Sequence, residues 1–554
     1  MSDGVIIKVV ENGNHQRLQN TDSPCISTCT TATNLSSLGD FQSNSTINSQ
    51  KKMSKDNNIR MAIQEIEPLQ KKQEEQQPNE TGEVSKSSFS QIKTQLLAVF
   101  SVSLISLVIG YSTAYTAPAQ LSLERDFNLT AKGGEMSWIS SFMPLGALAG
   151  GVIGGTMIDY FGRKWTFLLT NIFFLVAWLI SFSAQTYIYL YVGRIITGIA
   201  VGITSLAVPV YTAEIIQPEV RGTLGLLPTA MGNIGILVCF LFGSFLEWRN
   251  LALIAVMLTV PFLIMIWFIP DTPKFLLSKG QHDQAKDALK WLRGNDTNID
   301  TEFLDLQKIQ KKSDDQNESM MIIFSASNLK PLGIVLGLML FQQFSGINAI
   351  LFYTTKIFKE SVSSLDENVC TVIVGVVNFV STFVATILID KLGRKILLYI
   401  SSVTMIVSLV VAGAYFYIKN VTDINVTPLG WLPLATFMMY VLGFSLGFGP
   451  IPWLMMGEIL PAKIRGAGAS ISTAFNWACT FIVTKTFLLI MNAIGAHYTF
   501  WMYGVVVVGA LIFSIFIVPE TKGKSLAEIE NKLGGHKDER KHFIDNLKTV
   551  SSVS

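Results

Sequence analysis

Three neutral amide side chains lie within one apolar run of the sequence. The run extends from Leu332 to Phe352 and contains Gln342, Gln343 and Asn348. It is long enough to cross a bilayer. A carboxamide in hydrocarbon is costly unless another polar group pairs with it, so these side chains should face the protein interior or a water-filled cavity. Each amide offers both donors and an acceptor, which suits a ligand that is rich in hydroxyl groups.

The spacing of these amides predicts a break in the helix. At about 100° per residue, the side chains of Gln343 and Asn348 lie about 140° apart on a regular helix. They converge only if the helix opens at Ser345-Gly346, which lies between them. Broken helices line the mid-membrane binding sites of many transporters. The alternative is that the amides only hold neighbouring helices together through hydrogen bonds.

The composition of the chain is that of a membrane protein. Its 554 residues are 49% hydrophobic and 15% charged, which is too apolar for an ordinary soluble protein. The net charge of +2 predicts no bulk attraction to nucleic acid. The cysteines and histidines follow no disulfide or metal-binding spacing, so we expect no metal and no cofactor. A catalytic constellation such as Ser/His/Asp or His-x-x-Glu-His is also missing, so we do not expect an enzyme.

Twelve apolar segments follow a polar N-terminal region. Residues 1–93 are rich in Ser, Thr, Asn, Gln and Lys and show no signal peptide, so we predict a disordered tail there. The twelve segments are called spans 1–12 and lie near residues 95–118, 136–158, 165–184, 187–211, 224–246, 250–269, 331–355, 369–389, 396–418, 431–456, 466–490 and 498–518. The predicted architecture is an all-α membrane protein with a six-helix bundle at 94–270, a helical linker at 271–330, a second six-helix bundle at 331–519 and a C-terminal tail at 520–554.

Basic residues in the short loops predict the orientation in the membrane. Those in the loops after spans 2, 4, 8 and 10 are Arg163, Lys164, Arg221, Lys391, Arg394, Lys395, Lys463 and Arg465. The basic side of a membrane protein faces the cytoplasm, so we predict cytoplasmic termini and linker. We call this side the inner side and the opposite side the outer side. The glycosylation sequons at Asn128 and Asn420 then lie on the outer side.

Three motifs occur twice, once in each half of the chain. They are Asp-x-x-Gly-Arg-Lys after spans 2 and 8, a glutamate seven residues before Arg-Gly at the ends of spans 4 and 10, and Pro-Asp-Thr or Pro-Glu-Thr after spans 6 and 12. The halves are therefore predicted to be related copies with a binding site between them.

The charged residues of these motifs are predicted to gate the inner side. They are Asp159, Arg163, Glu214, Arg221, Asp390, Arg394, Glu458 and Arg465. Ion pairs between such helix ends would hold the inner mouth shut while the outer side is open, and Asp271 and Glu520 are expected to join the same clusters. The alternative, that the residues only signal topology, explains the arginines but not the acids.

These motifs resemble the sugar-porter branch of the major facilitator superfamily over residues 94–530. The motifs that carry the resemblance are Gly-Arg-Lys after spans 2 and 8, Gly193-Arg194-Ile-Ile-Thr-Gly198, Pro-Asp-Thr-Pro-Lys after span 6, Gln342-Gln343-x-Ser-Gly-Ile-Asn348, Gly449-Pro450-Ile-Pro-Trp453, Asn476-Trp477 and Pro-Glu-Thr-Lys-Gly. Residues 227–237 and 454–466 are most similar to insect facilitated trehalose transporters. The resemblance implies twelve transmembrane helices in two pseudo-symmetric bundles, which is the major facilitator fold, and a sugar as substrate.

The resemblance also implies which residues contact the sugar. Those in the second half are Gln342, Gln343, Asn348, Asn378, Trp453, Asn476 and Trp477. In span 5, Thr229 replaces a glutamine of hexose carriers and lies near Asn233, so the wall is smaller and would admit a disaccharide. For the two tryptophans, ordinary packing is the alternative. In span 10, Ser445 replaces a glutamate, so that part of the family's inner gating network is not carried over.

The residues near Arg194 bear on energy coupling. In proton-coupled members of the family an aspartate follows Gly-Tyr in span 1 and faces an arginine in span 4, whereas Ser112 stands at that position here. We therefore expect a uniporter in which Arg194 is hydrogen-bonded to carbonyl groups and to Ser112. Lys485, the other basic residue within a span, either lines an outer vestibule or extends to the outer surface.

The sequence thus predicts a facilitative transporter that moves trehalose down its gradient across the plasma membrane by alternating access. The expected partners are a small sugar and the lipid bilayer, with no nucleic acid and no obligate protein partner. A hexose uniporter is the first alternative. A non-transporting sugar sensor, which would signal through its N-terminal tail, is the alternative from another class.

Overall fold

A computed structural model describes most of the chain between residues 89 and 533. The described residues are 89–129, 134–217, 220, 224–294, 299–315, 325–361, 366–422, 424–461, 464–524, 528, 529, 532 and 533. Residues 1–88 of the predicted N-terminal tail, most of the predicted C-terminal tail, Arg221 and the side chain of Asp390 lie outside this description. The predicted tail boundary at residue 93 is wrong, because the first helix already begins at Phe89.

All twelve predicted spans are helical. Eleven are long and apolar enough to cross a membrane, and the fifth is a shorter apolar helix. The bounds are Phe89–Ala114 with Thr116–Asp126 for span 1, Glu135–Phe161 for span 2, Arg163–Phe182 for span 3, Tyr187–Ile215 for span 4, Leu227–Gly243 for span 5, Trp248–Met265 for span 6, Ala326–Phe344 with Ile347–Glu360 for span 7, Glu367–Leu392 for span 8, Arg394–Val421 for span 9, Leu432–Leu446 with Ile451–Ile459 for span 10, Arg465–Ile494 for span 11 and Ala496–Phe516 for span 12.

The described part of the linker between spans 6 and 7 contains three helices, in agreement with the predicted helical linker. They are Pro273–Ser278, His282–Arg293 and Asp300–Asp315. The first is capped by Thr272, whose hydroxyl accepts a hydrogen bond from the Phe275 backbone N–H, and the proline that follows favours a helix start. The buried Arg293 donates to the Ile215 carbonyl at the end of span 4 (2.9 Å) and pairs with Glu302, so the linker is attached to the inner end of that span.

Span 7 is broken at the predicted position. Its first helix ends at Phe344 and its second begins at Ile347, because Gly346 adopts a left-handed conformation with φ +93°. A Cβ atom on Gly346 would also lie 3.0 Å from the ring of Tyr503. The Ser345 carbonyl at the break accepts a hydrogen bond from the buried Tyr440 hydroxyl (2.9 Å). The prediction of an opened helix between Gln343 and Asn348 is therefore confirmed.

Close backbone contacts bring the spans of the first half together. A Cβ atom on Gly110 of span 1 would lie 1.8 Å from the carbonyl oxygen of Gly232 in span 5. One on Gly202 of span 4 would lie 2.1 Å from the Ala147 carbonyl oxygen in span 2. Membrane helices lack a hydrophobic force between them, and such small residues allow the close packing that replaces it.

The two halves meet along several pairs of spans, among them spans 2 and 11 and spans 5 and 8. A Cβ atom on Gly151 of span 2 would lie 3.5 Å from the Ala474 Cα atom of span 11, and one on Gly375 of span 8 would lie 2.9 Å from the Phe240 ring of span 5. Spans 5, 7, 8, 10 and 11 carry the polar side chains of the candidate site, so these contacts position that site between the halves.

Candidate functional site

Four amide side chains form one hydrogen-bonded network at the break in span 7. Gln343 Nε2 donates to Asn476 Oδ1 of span 11 (2.9 Å), and Asn476 Nδ2 donates to Gln342 Oε1 (2.8 Å). Asn348 Nδ2 donates to Gln343 Oε1 across the break. The structure therefore brings Gln342, Gln343, Asn348 and Asn476 together, because the broken helix turns two faces of span 7 toward span 11.

The four amides differ in how much hydrogen-bonding capacity the protein uses. Gln342 Nε2 donates to the carbonyl oxygens of Phe448 (2.8 Å) and Gly449 (2.9 Å), which lie in the break of span 10. Gln342 is buried, and the protein uses both of its N–H groups. Asn348 is only partly buried, and no described residue donates a hydrogen bond to its side-chain oxygen Oδ1. Gln342 thus fixes the backbone, whereas Asn348 retains capacity for a ligand.

A second polar network joins the two halves. Asn378 Nδ2 of span 8 donates to Asn233 Oδ1 of span 5 (3.2 Å), and Asn233 Nδ2 donates to the Thr382 hydroxyl (2.7 Å). The Ser445 hydroxyl of span 10 donates to Asn378 Oδ1 (3.0 Å). Thr382 was not predicted as a site residue, although it lies one helical turn from Asn378 and so shares its face. Spans 5, 8 and 10 are therefore connected by neutral donors and acceptors.

The remaining predicted contacts are less closely tied to these networks. Trp477 is buried, and no described group accepts from its indole N–H. Trp453 is partly buried and follows the break in span 10. Thr229 is exposed and lies one helical turn from Asn233 on span 5. The indole N–H of Trp477 is therefore a buried donor without a described acceptor.

Arg194 is buried within the first half. Its guanidinium donates to the Ser112 carbonyl (3.0 Å), to the Ile139 carbonyl (3.4 Å) and to the Thr116 hydroxyl (3.0 Å). It also lies over the ring of Tyr115, 5.6 Å from the centroid. The predicted bonds to carbonyl groups are confirmed. The Ser112 hydroxyl, by contrast, donates to the Val108 carbonyl of its own helix, so Ser112 contributes its backbone oxygen rather than its side chain.

The repeated motif of the first half forms a polar cluster at the inner side. Arg163 Nη2 pairs with Glu214 Oε1 (2.8 Å), and the Thr272 hydroxyl donates to Glu214 Oε2 (2.6 Å). Asp271 accepts from the backbone N–H groups of Arg163 (3.1 Å) and Lys164 (3.4 Å) at the start of span 3. Burial raises the pKa of Asp271, although these backbone donors oppose the rise.

The second half repeats this cluster. Arg394 Nη2 pairs with Glu458 Oε1 (2.9 Å), and the Thr521 hydroxyl donates to Glu458 Oε2 (2.6 Å). Glu520 accepts from the backbone N–H groups of Arg394 and Lys395. Burial alone would raise the pKa of Glu520, but four backbone N–H donors together hold this pKa below its usual value. The two motifs therefore fold into equivalent clusters, as the internal repeat predicts.

Other predicted gate residues occupy different positions. Arg465 donates to the Leu460 carbonyl (3.3 Å) at the end of span 10. Asp159 is exposed at the inner end of span 2. In the described parts of the chain, the inner ion pairs of the spans lie within one half each and none joins the two halves.

Predicted features of the outer side are also located by the structure. The Lys485 ammonium group lies over the Trp138 ring of span 2, 3.6 Å from its centroid, so Lys485 contacts the other half directly. Asn128 and Asn420 are both exposed near the outer ends of spans 1 and 9. Their positions leave both side chains accessible.

Comparisons with known proteins agree with this architecture. The family model "Sugar (and other) transporter" matches residues 98–533. The chain is 52% identical over 474 residues to the facilitated trehalose transporter Tret1 of Culex quinquefasciatus, covering 84% of this chain and 90% of that protein. It is 51% identical over 485 residues to Tret1 of Bombyx mori, with 86% and 95% covered. Against Tret1 of Aedes aegypti the identity is 53% over 466 residues, with 83% of this chain and only 57% of the relative's length covered.

Solved structures give the same result. The proton:xylose symporter XylE bound to 6-bromo-6-deoxy-D-glucose matches with a TM-score of 0.66 at 26% identity, covering 79% of this chain and 98% of that chain. The inward open conformation of XylE from E. coli matches with a TM-score of 0.65 at 26% identity, with 78% and 98% covered. The chain is therefore a multi-pass membrane protein of the major facilitator fold that belongs to the sugar transporter family.

Proposed function

We propose that this protein carries trehalose across the plasma membrane by facilitated diffusion, in both directions, with its termini in the cytoplasm. The observation that carries the proposal is the uncharged amide network at the break of span 7, in a chain more than half identical over most of its length to proteins named facilitated trehalose transporters. Amides supply both donors and acceptors, so each can replace water around a sugar hydroxyl. The transport needs no chemistry on the substrate.

The composition of the site supports weak and reversible binding. A hydrogen bond contributes a net of about 1 kcal/mol, and stacking a sugar face on an indole ring adds a comparable amount through burial of apolar surface. After the cost of ordering the ligand, several such contacts leave roughly 4 kcal/mol, which is a millimolar affinity. Binding of this strength allows release on the opposite side. Trp477, with its unpaired buried N–H, and Trp453 are the rings available for stacking.

The surroundings of Arg194 support transport without proton coupling. A proton symporter needs a carboxylate that titrates within the membrane. Arg194 is instead surrounded by carbonyl and hydroxyl oxygens, and no described carboxylate forms an ion pair with it. These oxygens partner the guanidinium permanently, so a proton gradient has no group to act on here.

Uptake of labelled trehalose tests the proposal directly. In oocytes that express the full chain, uptake is expected to saturate in the millimolar range and to be unaffected by a protonophore or by a shift in external pH. An excess of unlabelled trehalose should compete with the label more strongly than glucose does. Acidification of the cell during uptake would contradict the uniport mechanism, and transport of glucose without trehalose would contradict the choice of substrate.

A pair of variants separates the binding amides from the structural ones. Asn348→Ala is expected to lower trehalose uptake at subsaturating concentration about tenfold, which corresponds to roughly 1.4 kcal/mol of lost interaction, with little change in thermal stability. Gln342→Leu is expected to lower the melting temperature of the purified protein, because it removes the donor to the buried carbonyl of Phe448 and to the partly buried carbonyl of Gly449. Equal loss of melting temperature in both variants would show that Asn348 also serves only to hold helices together.

A further inference from the structure

The two sides of the membrane differ in how the halves are joined. At the outer side, the Lys356 ammonium of span 7 lies 3.8 Å from Glu124 Oε1 of span 1. It connects the first half with the second, whereas the other ion pairs of the described residues stay within one half, lie within the linker, or join the linker to span 4. The described conformation is therefore held together by charge at the outer side.

Two further contacts near this ion pair also join the halves at the outer side. The Ser137 hydroxyl of span 2 donates to the Lys485 carbonyl of span 11 (2.9 Å), and the Lys485 ammonium covers the Trp138 ring. Ser137 is buried by this contact. A cation over an indole ring attracts more strongly as water is removed. Three contacts between the halves, two of which involve Lys485, thus lie within the outer ends of spans 1, 2, 7 and 11.

The Glu124 carboxylate is held ready for this pair. Gln120, one turn earlier in the same helix, donates to Glu124 Oε1 (2.7 Å). The side chains of Lys356 and Glu124 are only 12% and 24% exposed, so water screens their attraction less than it screens a surface pair. Separating them returns both charges to water, which compensates part of the lost attraction. Such a pair can open and close reversibly.

Lys356 lies on a segment that is able to move separately from the rest of span 7. The helix Ile347–Glu360 is detached from the first helix of the span by the break at Gly346. It contains a second irregularity at Tyr353, with φ −121° and ψ 16°. Asn348, which binds Gln343 across the break, stands at the start of this same helix. A change at the amide network can therefore be transmitted along the helix to Lys356.

We propose that Glu124 and Lys356 form an outer gate, in which their ion pair keeps the outer side closed and must separate for the sugar pathway to open outward. The inference rests on the proposed transport function and adds to it two residues that bind no sugar. Neutralising either residue is expected to favour the outward-open conformation, because the closed conformation alone contains the pair.

The test uses a cysteine that reports on opening of the outer side. Ser137→Cys is introduced into the full chain, which is purified and placed in nanodiscs so that both faces are accessible, and its reaction with a polar maleimide is timed. Labelling of the parent chain, which retains the native cysteines, is subtracted. Cys239, Cys370 and Cys479 are all buried, and the subtraction also removes any labelling of Cys25 and Cys29 in the N-terminal region.

Combined with Ser137→Cys, the variants Glu124→Gln and Lys356→Met are each expected to label about fivefold faster, the upper range for a partly exposed pair. The charge-swapped variant Glu124→Lys/Lys356→Glu should return the rate to within about twofold of that of the Ser137→Cys chain alone. The matched control is Glu247→Gln, which removes the exposed pair with Arg125 on the same side but within one half, and should leave the rate unchanged.

If the Ser137→Cys chain labels at the same rate with and without Glu124→Gln or Lys356→Met, the outer gate is overturned. If one variant fails to fold, the other and the charge swap still decide the result. The labelling needs no sugar, so failure of the trehalose proposal and failure of the gate are distinguishable. A chain that transports trehalose with unchanged labelling rates would retain the first proposal and lose the second.

Discussion

Replacing Gly110 by alanine is expected to prevent formation of the native first half. The added Cβ atom would lie 1.8 Å from the Gly232 carbonyl oxygen and 2.7 Å from its carbonyl carbon. Both atoms belong to backbone, so no side-chain rotation relieves the clash, and spans 1 and 5 must separate. Overpacking of a core by a side chain costs about 1–3 kcal/mol, and a clash with a helix backbone should cost at least the upper value.

The consequence for transport follows from what these two spans carry. Span 1 supplies the Ser112 carbonyl to Arg194, and span 5 supplies Asn233 to the network with Asn378. Gly110→Ala is therefore expected to lose trehalose uptake together with folded protein, measured as the monodisperse peak in size-exclusion chromatography. The control is Gly457→Ala, at an exposed helical glycine whose added Cβ meets no atom within 4 Å. That variant should fold normally and gain up to about 1 kcal/mol in helix propensity.

Loss of the Glu214 carboxylate is expected to be the most damaging change at the inner side. Glu214→Leu leaves the guanidinium of Arg163 buried without its counter-ion and the Thr272 hydroxyl without its acceptor. Removing one partner of a buried pair costs about 3–5 kcal/mol. We expect a melting temperature that is lower by several degrees and a large loss of uptake, both measured on the full-length chain.

The internal repeat supplies a matched comparison for this variant. The side chains of Arg163 and Glu214 are 9% and 8% exposed, whereas those of Arg394 and Glu458 are 13% and 19% exposed. Glu458→Leu should therefore lower the melting temperature less than Glu214→Leu does. Replacing both partners, as in Arg163→Met/Glu214→Leu, is expected to recover part of the lost stability because no charge is left buried. A double variant less stable than Glu214→Leu alone would contradict this account.

The central site shows which of its features residue types and spacing predict and which they do not. The two amides Gln343 and Asn348 cannot meet on a regular helix, and a glycine lies between them, so the break in span 7 is predictable from local geometry. Asn378 and Thr382 share a helix face for the same reason of periodicity. The role of Gln342 is different, because it depends on two carbonyls of span 10 that are more than a hundred positions away.

The gate residues also include a part that the sequence predicts and a part that it does not. The inner clusters repeat because the same short motif occurs in both halves. The structure of the cluster in one half therefore predicts the structure of the cluster in the other. No sequence pattern predicts the ion pair between Lys356 and Glu124, since each residue alone resembles an ordinary charged residue at the end of a helix. Only the approach of spans 1 and 7 at the outer side makes them partners.

The sequence by itself determined the twelve spans, the two related halves, the break in span 7 and the neutral character of the site, because hydrophobic length, backbone freedom at glycine and the cost of unpaired polar groups act over short distances. The tertiary structure alone decided which amides are consumed by the protein and which remain available, and which charges meet across the halves. Those outcomes depend on the packing of distant spans, which no local pattern of residues specifies.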